Sequence, residues 1–174
     1  MRLELASLKH KQAFLAAVRA SRGLHAPWVS PPATSTKFRQ YVKAKSGDRN
    51  VAYFAFSNSG DILGVVNISE IVRGLFRSAY LGYYVFSPHQ ARGVMTATLS
   101  KVVTRAFREH GLHRVEANIQ PSNAASIRLV ARLGFRKEGL SRRYLKINGR
   151  WRDHERWAVT REEWRHRTAR ARVG

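Results

Sequence analysis

The sequence predicts a mixed α/β domain of the α+β-like kind, one sheet with helices packed against it. Three observations carry that expectation. Segments of two-residue and 3.6-residue hydrophobic period follow one another in the order β-α-α-β-β-β-α-β-α-β-β. One strand–helix–strand unit lies near the middle, over 78–119, within runs that otherwise read as hairpins. The chain has 174 residues, 44% of them hydrophobic, which suits a single core, and it shows neither an internal repeat nor a linker.

MRLELASL alternates as a short first strand. KHKQAFLAAVRAS sets Phe14, Leu15 and Val18 at helical spacing. RGLHAPWVSPP holds three of the five prolines and reads as a loop with anchored aromatics. TSTKFRQYVKAKSG predicts a second helix with Phe38, Tyr41 and Val42 on one face. VAYFAFSNSGDILGVVNISEIV is strand, turn, strand, with Ser57-Asn58-Ser59-Gly60 as the turn. Residues 78–86 form another strand, and 92–109 a helix whose apolar stripe is Met95, Leu99, Val102, Val103 and Ala106. HRVEANI is a strand; SNAASIRLVARLGF is a helix closed by Gly134. Arg143–Ile147 and Arg150-Trp151 flank Asn148-Gly149, which supplies the positive φ values of a type I′ hairpin turn. Thr160-Arg-Glu-Glu163 is a capping box that starts a short terminal helix. It runs out into a basic tail over 165–174, expected to fray.

Composition removes several chemistries. There is no Cys, so disulfides, Cys-ligated zinc and a Cys nucleophile are excluded. The seven His show neither H-x-x-x-H nor H-E-x-x-H spacing, and no metal is expected. MRLELASLKHKQ has no long apolar core, no run approaches the length of a membrane span, and a cytoplasmic protein is expected. The net charge of +21 favours polyanionic surroundings: RNA, DNA or a coenzyme with several phosphates.

The turn at Gln90-Ala91-Arg92-Gly93-Val94-Met95 is the first candidate site. A helix N-terminus carries unpaired N–H groups and partial positive charge, and a strand entering it aims those groups at one point. A phosphate there is held by backbone. Neither G-x-G-x-x-G nor G-K-[ST] is present. On these residues alone, Gly93 is as well explained by an ordinary bend. Downstream, Asn123-Ala-Ala-Ser126 opens a helix that ends Arg132-Leu133-Gly134-Phe135.

Q-x-x-G-x-M followed by N-x-x-S-x-x-x-x-x-x-L-G-F resembles the GNAT acetyltransferases. GVVNISEIVRGLF, YLGYYV, HRVEANIQPSN and RLGFRKEG…YLKINGRWRDH look like their Rim-type (RimJ/RimL) group, the ribosomal-protein N-terminal acetyltransferases, and most like its RimJ branch. The resemblance covers about 5–165. It implies a GNAT acyl-CoA N-acyltransferase fold over 1–164, a central, mostly antiparallel seven-stranded sheet flanked by helices, with 165–174 outside it as a basic tail. It implies acetyl-CoA as co-substrate, with its pyrophosphate on Gln90, Ala91, Arg92, Gly93, Val94, Met95 and Thr96. Backbone groups at Val85 and Phe86 would bond the pantetheine and polarise the thioester, and Asn123 and Ser126 would border the arm and its sulfur. Many relatives carry a Tyr as acid for the departing thiolate where this chain has Val130.

The expected reaction is direct attack of an amine on the thioester. The expected acceptor is the N-terminal α-amine of a ribosomal protein, with Ala first. An α-amine has a pKa near 8, so a modest base suffices. Glu116, mid-strand in a chain with only 11 acids, is the first candidate for that base, and Glu70 the second. Ser126 is the candidate beside the thiolate. Tyr83, Tyr84, Trp28 and Trp151 are candidate groove walls, with core packing an equal alternative, and His25 lies in the loop expected over the acceptor. The basic surface and tail would meet rRNA or the ribosome. A small amine, an aminoacyl-tRNA acceptor, and an RNA-binding assembly factor on the same scaffold remain alternatives.

Overall fold

The computed structural model describes residues 1–173 and the side chains as far as 167. Strand β1 (Arg2–Leu5) leads through a 3-10 turn (Leu8–His10) to α1 (Lys11–Ala20), α2 (Arg22–His25) and α3 (Ser35–Ala44). Then come β2 (Ser46–Gly47), β3 (Asn50–Phe56), β4 (Ile62–Val72), β5 (Ser78–Val85) and α4 (Val94–Arg108). The chain closes with β6 (Arg114–Ile119), α5 (Ala124–Arg132), β7 (Arg136–Ile147), β8 (Arg150–Thr160) and α6 (Arg161–Val173).

One sheet runs β1-β3-β4-β5-β6-β8-β7, with the two-residue β2 paired to β3. The seven expected strands are all present, and β2 is the addition that makes eight. Every neighbouring pair is antiparallel except β5–β6. Parallel neighbours need a crossover, and α4 is that crossover.

Alternation sends the two sides of the strands into two cores. On one face, Val66, Ile68, Leu81, Val115, Ala117 and Ile119 pack with Leu99, Val102 and Val103 of α4 and Val130 of α5. On the other, Phe54, Val65, Tyr84 and Phe86 pack with Phe14 and Val18 of α1 and Phe38 and Val42 of α3. All five residues of the expected α4 stripe are buried.

Three local expectations need amendment. The proline-rich loop begins with one helical turn, α2, whose His25 is buried. The last hairpin is much longer than Arg143–Trp151. Its base escapes a two-residue pattern because register shifts at Lys137/Gly139 and Ser141/Leu145 interrupt the alternation. The Asn148-Gly149 turn itself is as expected, with φ of 49° and 78°. The terminal helix starts on its capping box, Thr160 N–H donating to Glu163 Oε2 at 2.8 Å and Glu163 N–H to Thr160 Oγ1 at 3.4 Å. It then continues unbroken across 164/165 instead of giving way to a tail. The tail's side chains from 168, and Gly174, lie outside the described residues. Among the described residues no helix is long and apolar enough to cross a membrane, and no cluster could hold a metal ion.

Candidate active site

The parallel pair is the key to the site. β5 and β6 are bonded only over Ser78–Tyr80 and Arg114–Glu116. Beyond that, β5 stays with β4 as far as Val85, and β6 stays with β8 as far as Ile119. The strands therefore part, leaving a gap whose crotch is marked by Tyr80 and Glu116. Phe86 N–H donates to Leu63 O at 2.8 Å, so the even-numbered residues of β5 direct their backbone toward β4. Alternation then turns the backbone of Tyr83 and Val85 into the gap, past the last bonded pair, Tyr80 and Glu116.

This corrects the expected pair of backbone contacts. Phe86 has no N–H to offer, and its carbonyl already accepts from His89 N–H at 2.9 Å. Val85 faces the gap, but its carbonyl accepts from His25 Nε2–H at 2.8 Å. Its N–H is the group that remains.

At the mouth of the gap stands the turn. Gly93 is the N-cap of α4 with φ 72° and ψ −3°. Ala91 also has positive φ, at 60°. A β-carbon added at Gly93 would meet nothing within 4 Å, so the residue is needed for its backbone conformation and leaves the approach open. Ala97 N–H donates to Gly93 O at 3.0 Å, the first bond of the helix. The N–H groups of Val94, Met95 and Thr96 precede that bond and point out of the helix end. No acid stands in the first turn, while Gln90 and Arg92 are exposed at the rim. Met95 contributes only its N–H, because its side chain is buried in the core. An open end of this polarity fits a pyrophosphate.

The α4/α5 face of the gap carries a hydroxyl pair. Asn123 caps α5, its Oδ1 accepting from Ser126 N–H at 3.1 Å. That cap fixes Ser126 in the first turn, where its Oγ lies 2.5 Å from Tyr83 Oη. Burial pushes the Tyr83 phenol up to about 12, and its bond to Ser126 offsets part of that rise. Tyr83 is thus protonated at neutral pH, and either hydroxyl of the pair can donate to the other. The position that lacks a Tyr, Val130, is fully buried in the core. Tyr83 reaches Ser126 from β5 instead. Its sequence signal, an alternating YLGYYV, reads equally as a groove wall, so this partnership needed three dimensions.

The opposite face carries Glu116. Val115 and Ala117 belong to the α4 core, so Glu116 and Asn118 point to the α1/α3 side. Glu116 Oε1 accepts from Arg114 Nε–H at 2.9 Å, and Arg114 also pairs with Glu138. Beside it, a hydrogen bond to Tyr144 and then burial push Tyr80 up to about 12. Glu70 is elsewhere: it sits in a bulge of β4 with φ 52°, exposed and paired with Arg49 at 2.8 Å. Burial lowers the His25 pKa, the bond to Val85 opposing it. Three buried polar atoms on this side, His25 Nδ1, Tyr84 Oη and Asn118 Oδ1, have no hydrogen-bond partner among the described residues. Trp28 is half-buried in the loop, whereas Trp151 is 60% exposed and belongs to the distal hairpin.

The model of the acetyltransferase (GNAT) domain matches residues 1–136. The chain belongs to the GNAT acetyltransferases. Over 104 residues it is 43% identical to the [ribosomal protein uS5]-alanine N-acetyltransferase of Escherichia coli, a stretch that is 60% of this chain and 54% of that enzyme. Among solved structures it resembles Mycobacterium smegmatis RimJ in complex with CoA-disulfide, at 29% identity and TM-score 0.87, covering 97% of this chain and 88% of that one. It also resembles the ribosomal-protein-S5-alanine acetyltransferase of Vibrio fischeri, at 27% identity and TM-score 0.82, covering 93% of each. The fold is that of a single mixed α/β GNAT domain, and the co-substrate of this acetyltransferase is acetyl-CoA.

Proposed function

We propose that this GNAT acetyltransferase acts on the N-terminal α-amine of a ribosomal protein, with alanine as the first residue. The observation that carries the reading is the 43% identity to an enzyme named for that acceptor. A work site of that kind is cytoplasmic, and the +21 charge suits surroundings of rRNA.

Each face of the gap has its task. Val94, Met95 and Thr96 hold the pyrophosphate through backbone N–H groups, with Gln90, Ala91, Arg92 and Gly93 shaping the turn. Asn123 positions Ser126, and the N–H of Val85 faces the arm. Bound acetyl-CoA supplies an acyl thioester that a free amine can attack. On the α4/α5 side, Tyr83 and Ser126 hold a proton where a thiolate departs. On the α1/α3 side, Glu116 attracts the ammonium and takes up its proton through water, with Arg114 Nε–H donating to one carboxylate oxygen and fixing its position. An amine with a pKa near 8 is partly free at neutral pH, so this base has little to do.

The test is direct. The purified protein is given acetyl-CoA with synthetic peptides beginning Ala, Ser or Met, with spermidine, and with alanyl-tRNA. Mass spectrometry then finds the acetyl group. Preference for the Ala peptide supports the reading; preference for spermidine or the charged tRNA overturns it.

A further inference from the structure

The distal half of the β7–β8 hairpin, residues 142–152, holds Arg142, Arg143, Lys146, Arg150 and Arg152 and no acid. Its base is different. There Arg136 and Lys137 are paired with Glu138, Glu155 and Glu163. Among the described residues, no ion pair neutralises any of the five distal cations. Among them stands Trp151, 60% exposed, directly opposite Lys146 on the same face of the ribbon. Leu145 is 39% exposed opposite Arg152. A surface indole with a lysine across from it on the same face, and Arg150 and Arg152 beside it on the strand but turned to the ribbon's other face, has the makings of a stacking platform with cations round its edge.

The tip is also held in place. Asn148 Nδ2–H donates to Ala26 O at 2.9 Å, and Ser30 Oγ–H donates to Asn148 Oδ1 at 2.7 Å. Binding there does not have to order a loose loop first.

We propose that this arm is a docking surface for single-stranded RNA. A base stacks on Trp151 beside Lys146, and the phosphates of the strand follow the ribbon round to Arg150 and Arg152 on its other face. Single strands fit because their bases are free to splay onto an aromatic face, which a duplex hides. The choice of RNA over DNA rests on the ribosomal-protein reading above. The surface is separate from the acetyl-CoA turn, which works through backbone N–H groups.

The experiment uses the full chain and a fluorescently labelled single-stranded RNA of mixed sequence, titrated by anisotropy over a salt series. The same sequence as duplex RNA and as single-stranded DNA makes two further arms. Trp151→Ala should weaken RNA binding about tenfold and leave the salt slope unchanged. Arg150→Gln with Arg152→Gln should lower the slope of log affinity against log salt by about 1.4, roughly 0.7 for each lost phosphate contact. Thermal melting and acetyl-CoA calorimetry check that each variant is folded. Unchanged RNA affinity in Trp151→Ala overturns the proposal. So does tighter binding of the duplex or of the DNA strand. Acetyl transfer to the Ala peptide, measured without RNA, reports on the acceptor reading separately: no transfer with RNA binding intact defeats that reading alone.

Discussion

The two faces of the β5–β6 gap are built in different ways. The α4/α5 face relies on fixed geometry: a helix end, a cap, and a hydroxyl pair 2.5 Å apart. The α1/α3 face relies on charge and on buried polar atoms that lack partners, around Glu116, Tyr84, Asn118 and His25. A nucleotide arm is the same in every turnover, so the first face can be rigid. An acceptor brings its own polar groups, and unpartnered atoms are places for them to go.

The comparison can be broken at its stiffest point first. Gly93→Val forces a β-branched residue to φ 72°. It should lower acetyl-CoA affinity by about 100-fold or more, because the helix-end donors turn away from the phosphates. Calorimetry measures this, with circular dichroism to show a folded chain. Full affinity would remove the turn from the site.

The hydroxyl pair comes next. Ser126→Ala and Tyr83→Phe should each lower kcat by about 100-fold with little change in the KM of the peptide. The double variant should fall little further, since the two act together. Independent, multiplicative losses would show that they are not one proton donor.

Smaller effects belong to the other face. Glu116→Gln should lower kcat/KM about tenfold at pH 7 and much less at pH 9, where the α-amine is already free. A loss equal at both pH values would make Glu116 structural. His25 should act mainly on stability. Its folded pKa lies below the ordinary 6.5 because of burial, so the unfolded chain binds the proton more readily. The stabilisation is present above about 6.5 and is lost as pH falls through the lower folded value. The melting temperature should therefore drop between pH 7 and 5, less steeply in His25→Gln. Burial also lowers His110 and His154, so part of the slope should survive that substitution.

How much of this is visible in the letters depends on what carries each feature. The α4 stripe and the Thr160–Glu163 box are written in local periodicity and capping, and the structure follows both. Asn123 reads as a cap for the same reason. What depends on strand pairing is hidden. That Phe86 spends its N–H on Leu63 follows from register, to which its own identity gives no clue. His25 bonds Val85 across 60 residues of sequence, and Tyr83 meets Ser126 across 43. The sides taken by Glu116 and Ser126 follow from which residues of β6 enter the α4 core, a choice that alternation alone leaves open.

The brevity of the β5–β6 ladder has a mechanical consequence. Three residue pairs stitch together two half-sheets, one ending at β5 and the other beginning at β6. The amides of Tyr83 and Val85 lie inside a long strand yet face the seam, so they should exchange with deuterium faster than those of Gly82 and Tyr84 beside them. A bound pantetheine arm would act as a stay across that seam. On this view the co-substrate is also a structural member, one that stiffens the sheet across its shortest ladder.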